Sequence, residues 1–126
     1  MKAFLSTLAL ILYFSFNVSA KYTIDRIEPP FWWVGMKNTR LQLLVYGPGI
    51  ADLKPHLEYP GVTLNEVIRV QNSNYIFLNL NISKETNPGS FSIEFFNKKG
   101  VEIAYTYLLN ERKRALQKDK DLPIQM

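Results

Sequence analysis

In the run Tyr75-Ile76-Phe77-Leu78-Asn79-Leu80-Asn81-Ile82, every second residue is Ile or Leu. Successive side chains of an extended strand leave on opposite faces, so Ile76, Leu78, Leu80 and Ile82 must form a core face. Tyr75, Phe77, Asn79 and Asn81 form a second face, expected to be half-solvated. The surrounding chain is cut into similar pieces. Tyr22 to Glu28 alternates loosely and reads as a first strand, which Pro29-Pro30 stops because proline has no N–H for the ladder. Phe31 to Val34 is aromatic and β-prone. Leu41 to Tyr46 is apolar on both faces, as suits a strand inside a sheet. His56 to Tyr59 is a short strand closed by Pro60-Gly61, and Val62 to Val70 is the next. Its adjacent Asn65 and Glu66 break the alternation and point to a bulge or an edge.

The remaining two strands form a hairpin. Phe91, Ile93 and Phe95 alternate with Ser92, Glu94 and Phe96, and Asn97-Lys98-Lys99-Gly100 is the connection. The return strand puts Val101, Ile103, Tyr105, Tyr107 and Leu109 on one side. About seven short strands with turn signals every 8–12 residues, and no amphipathic helix, describe an all-β, immunoglobulin-like β-sandwich. The Cys and Trp landmarks of antibody domains are missing from it.

Three segments are expected. Lys2 and the apolar run from Phe4 to Phe16, closed by Val18-Ser19-Ala20, read as a signal peptide over residues 1–20. The run is shorter than the ~20 residues of a membrane span. Cleavage before Lys21 implies a secreted or periplasmic protein with no membrane attachment. Residues 21–110 form one domain and residues 111–126 a charged linker or tail. The chain has no Cys, hence no disulfide framework. Its formal charge of +4 does not mark a nucleic-acid partner, because residues 21–110 hold nine Lys and Arg against eight Asp and Glu.

Catalytic signatures are few. The single histidine, His56, has no Cys or second His beside it, so neither a zinc site nor a triad is indicated. Gly47-Pro48-Gly49 lacks the helix and the Lys-Ser/Thr of a phosphate loop and reads as a turn. No cofactor and no metal are expected. What stands out is Glu28-Pro29-Pro30-Phe31-Trp32-Trp33-Val34-Gly35-Met36, which holds both tryptophans. Two adjacent Trp side chains in a strand cannot both enter one core, so at least one belongs to a rim, an interface or a ligand surface. Phe31, Trp32, Trp33 and Met36 are therefore the contact candidates. Glu28, Pro29, Pro30 and Gly35 are structural candidates, with Glu28 expected to bond a turn amide or to pair with Arg26 or Arg40.

Ile27 to Asn38 and Leu41 to Gly47 closely resemble the N-terminal domain of Bacteroidetes cyclomaltodextrinases and neopullulanases, in glycoside hydrolase family 13. Tyr59-Pro60-Gly61-Val62, Asn72-Ser73-Asn74-Tyr75 and Pro88-Gly89-Ser90-Phe91 fall in matching order, so the similarity runs from about Tyr22 to Arg112. The resemblance implies a β-sandwich that precedes a catalytic (β/α)8 barrel, packs against that barrel or a second copy as a homodimer, and helps shape a substrate pocket. None of that family's catalytic residues has a position on this chain, which runs to Met126, so no hydrolysis is expected of it alone. Two roles remain open. One is a non-catalytic accessory domain of a secreted maltodextrin-, cyclodextrin- or starch-degrading enzyme. The other is a free-standing carbohydrate-binding module that holds maltodextrin on its surface aromatics.

Overall fold

The computed structural model describes residues 22–112. The expected signal peptide lies outside them, as does the expected tail beyond Arg112. Eight strands occur among the described residues: β1 (Arg26–Glu28), β2 (Phe31–Trp33), β3 (Arg40–Tyr46), β4 (Lys54–Leu57), β5 (Val62–Arg69), β6 (Tyr75–Ile82), β7 (Gly89–Asn97) and β8 (Gly100–Asn110). They build two four-stranded sheets, in the orders β1-β3-β6-β5 and β2-β8-β7-β4. Every pairing is antiparallel except β2 with β8, which run parallel.

The chain changes sheets at Pro29-Pro30. β1 pairs with β3 in one sheet and β2 with β8 in the other, with a cis Glu28–Pro29 peptide bond between them. β1 is shorter than the alternation from Tyr22 suggests. Its partner β3 ends at Tyr46, opposite Arg26, so the residues before Arg26 have no strand left to extend beside.

Both sheets face one core. β6 contributes Ile76, Leu78, Leu80 and Ile82, and β3 contributes Leu41, Leu43 and Val45. From the other sheet come Phe91, Ile93, Phe95, Tyr107 and Leu109. Burying each aliphatic of this size stabilises the fold by about 1.5–3 kcal/mol. Tyr75, Phe77, Asn79 and Asn81 are half-exposed on the outer face, as their alternation requires.

Two bulges set side-chain direction. In β5 the register steps from Leu64 to Glu66, leaving Asn65 as the extra residue on an edge strand. At the end of β5, Arg69 donates to the carbonyl oxygens of Ala51 (2.9 Å) and Leu53 (2.8 Å), in the segment that leads into β4. In β8 the register steps from Ile103, opposite Phe95, to Val101, opposite Phe96. Glu102 is the extra residue, and Val101 therefore leaves the inward row expected for it and stands 55% exposed. The hairpin supplies the reason: neither Lys98 nor Lys99 has positive φ, so the twist falls to Gly100 (φ 132°) and the bulge beyond it.

β4 begins at Lys54 and ends at Leu57, two residues earlier than its composition suggests. It is an edge strand, where Pro55 costs no internal ladder bond. Gly47 to Gly49 turns the chain into a single 3-10 turn, Ile50–Asp52, which buries Ile50 completely.

Candidate functional site: the aromatic edge of the second sheet

β2 is only three residues long and lies at the edge of its sheet, with β8 on one side. The parallel register places Phe31 beside Leu108, Trp32 beside Leu109 and Trp33 beside Asn110. Leu109 is buried in the core, so Trp32 shares the inward face and packs against the core cluster while staying half-buried. Phe31 and Trp33 take the outward face with Leu108. Phe31 is 39% exposed and Leu108 44% exposed.

The three rings touch in sequence. Phe31 and Trp33 meet edge-to-face with centroids 5.4 Å apart, and Trp32 and Trp33 are tilted at the same separation. Edge-to-face contacts of this kind are worth about 0.5–1.5 kcal/mol beyond the area they cover, so the cluster is a preformed surface. Val34 follows, buried, with its N–H donating to the Asn110 carbonyl at 3.0 Å. Gly35 turns the chain in the left-handed region, φ 74°, which only glycine adopts without strain. Met36 lies beyond that turn, half-buried and outside the β2–β8 pairing.

The crossover is held from below. The Tyr107 hydroxyl donates to the Pro29 carbonyl at 2.9 Å, joining the inner side of β8 to the link between β1 and β2. Burial, with a smaller contribution from the neighbouring Tyr105 phenol, pushes the Tyr107 phenol well above its ordinary value of 10.0. Glu28 lies 3.4 Å from the Arg26 guanidinium, and both side chains are about half-exposed. A surface pair of this kind contributes about 0–1 kcal/mol. Pro30 is exposed beside it.

This surface is apolar and offers no acid, base or nucleophile. His56 is far along the sheet, opposite Glu94 and 6.1 Å from the Phe96 ring. No group of three His, Cys, Asp or Glu could hold a metal among the described residues. What the edge can do is bind: it presents rings and a leucine to a flat apolar or ring-shaped partner.

The chain matches the family described as "Cyclomaltodextrinase, N-terminal" over residues 26–113. It belongs to that family. The match begins at the first residue of β1 and takes in all eight strands, so the family unit and the folded unit coincide. Cyclomaltodextrinase N-terminal domains are a non-catalytic part of a glycosidase.

Leu108 is the member of this surface that the sequence reading passed over. Its signal was present: on the outer face of β8 it follows Ala104 and Thr106, an apolar residue on an otherwise small and polar row. Tyr107 carried one as well, since a tyrosine hydroxyl in an inward row must find an acceptor.

Proposed function

We propose that this domain serves a secreted or periplasmic maltodextrin- or cyclodextrin-degrading glycoside hydrolase as a docking module. It packs through Phe31, Trp33 and Leu108 against the enzyme's (β/α)8 barrel or against a second copy of itself. The observation that carries this reading is the edge formed by exposed Phe31 and half-buried Trp33 on β2 with exposed Leu108 near the end of β8. It lies where the family match ends, next to the residues that lead onward from Arg112. Aromatic residues on a rigid strand are the usual anchors of protein interfaces. The strand orders support an immunoglobulin-type sandwich: β1-β3-β6-β5 corresponds to the A-B-E-D sheet and β4-β7-β8 to C-F-G, with the first strand divided between sheets at Pro29-Pro30.

Sedimentation of the purified chain, alone and mixed with a cyclomaltodextrinase barrel, tests the proposal. A heavier species is expected in one of the two conditions, and Trp33→Ala or Phe31→Ala should weaken it at least tenfold. A chain that sediments as a monomer in both conditions overturns the docking role. Retardation of that monomer on maltodextrin gel, lost in Trp33→Ala, would assign the edge to glycan contact instead.

A further inference from the structure

One end of the sandwich gathers apolar and basic side chains that the aromatic edge does not use. The β7–β8 hairpin, the 3-10 turn before β4 and the turn after β5 meet there. Lys54 of β4 pairs with Phe96 of β7, next to the Lys98-Lys99 turn that joins Asn97 to Gly100. Arg69, the last residue of β5, reaches the Leu53 carbonyl at 2.8 Å, which brings Val70 to the same end. Along β8, Val101 is separated from Leu108 by roughly 23 Å at the usual rise of a strand, so this end is remote from the aromatic edge.

Two of the large hydrophobic residues exposed among the described residues are here, Val70 at 44% and Val101 at 55%. The bulge at Glu102 turns Val101 outward, where it shares a row with Phe96 and, one strand further, with Lys54. Lys54, Lys98 and Lys99 are exposed, and none of their ammonium groups has a hydrogen-bond or ion-pair partner among the described residues. A groove of about 630 Å³ opens between them, lined by Asp52, Lys54, Phe96 and Asn97 to Lys99. Asn97 Oδ1 accepts from the Lys99 N–H at 2.8 Å, which holds the turn in shape. With Arg69, this end carries four cations against the carboxylates of Asp52 and Glu102, a net charge of +2.

Single valines on separate turns are poor anchors for a protein interface, which is usually centred on aromatic residues or arginine. At a bilayer, binding grows with the apolar surface that passes the headgroups and with attraction to anionic lipid. Lysine serves both needs, since its stem lies along the apolar layer while its ammonium meets a phosphate. We propose that this end of the domain rests on an anionic lipid surface. Val70 and Val101 pass the headgroup layer, and a lipid phosphate enters the groove between Lys54, Lys98 and Lys99. The contact is peripheral and reversible, and it replaces the expectation of no membrane attachment drawn from the N-terminal run. It leaves the aromatic edge free and does not depend on the docking role.

The chain contains no Cys, so Val101→Cys gives the full chain one labelling site for the environment-sensitive fluorophore nitrobenzoxadiazole. Ser92→Cys, exposed on the same outer face near the middle of β7, is the reference site. A label at residue 101 reports on the tip itself, whatever other parts of the chain do at a bilayer. On vesicles of equal parts phosphatidylglycerol and phosphatidylcholine, its emission should rise about twofold and shift to the blue, with little change for the label at residue 92. Lys98→Glu combined with Lys99→Glu should raise the lipid concentration at half-response about tenfold. Both positions are exposed and the Asn97 bond goes to the Lys99 backbone, so the hairpin is kept. The proposal is overturned if the label at residue 101 does not respond to these vesicles, or responds equally to phosphatidylcholine alone or to soluble polyglutamate. It is also overturned if the two label sites respond alike or if the double lysine variant binds like the parent chain.

Discussion

Tyr107 does two jobs with one side chain. Its ring is fully buried between the sheets, and its hydroxyl reaches the Pro29 carbonyl where the first strand changes sheets. Tyr107→Phe keeps the ring and leaves that carbonyl without its donor. A loss of about 1–3 kcal/mol in unfolding free energy is expected, measurable by urea titration. The phenol also makes stability depend on pH. Its proton is held in the folded chain above pH 10, where the unfolded chain releases it, so the contribution is complete below pH 10 and is lost as pH rises further. Stability should therefore fall by up to about 1.4 kcal/mol per pH unit above pH 10, and Tyr107→Phe should remove that part of the slope. Gly61 is a second single-residue constraint. Its φ is +93°, and a Cβ there would run into the Thr86 side chain, whose hydroxyl donates to the Gly61 carbonyl at 3.3 Å. Thermal melting of Gly61→Ala should show a destabilisation of about 1–3 kcal/mol.

At the level of elements, β2 divides its aromatics by alternation, and the two tryptophans should respond differently to truncation. Trp32→Ala removes a ring packed on the core cluster and should cost about 2–4 kcal/mol of stability. Trp33→Ala removes a ring from the outer face and should cost under about 1.5 kcal/mol, its main effect falling on association. Paired melting and sedimentation measurements on the two variants separate these outcomes. That the tryptophans must divide was legible from their adjacency; which one turns inward was not. The answer depends on the register of β2 against β8, set by a parallel pairing between Phe31 and Leu108 across most of the chain. Local pattern sufficed for β6, where Ile76 to Ile82 alternate without a break, and for the bulge at Asn65, where two polar residues sit together. It did not suffice for Val101. The bulge at Glu102 comes from the backbone twist of the Lys98-Lys99 turn, and no residue type announces it.

For the whole molecule, the decisive fact is that two four-stranded sheets share a single apolar core and no disulfide supports them, since the chain contains no Cys. Neither sheet buries its inner face without the other, so they should unfold together. The tryptophans make this measurable, because both lie in β2, so their fluorescence follows the second sheet and the core that Trp32 packs against. Far-UV circular dichroism reports on both sheets. Leu43 is fully buried in β3 of the first sheet, and Leu43→Ala should cost about 2–5 kcal/mol. If the core is one cooperative unit, the fluorescence and dichroism midpoints of Leu43→Ala shift by the same amount, although the mutation is in the sheet that holds no tryptophan. A fluorescence midpoint that stays where it is in the parent chain, while the dichroism midpoint falls, would mean that the sheets melt separately. That result would count against the domain as a rigid module, because the edge at β2 and β8 is held in place only while both sheets share one core.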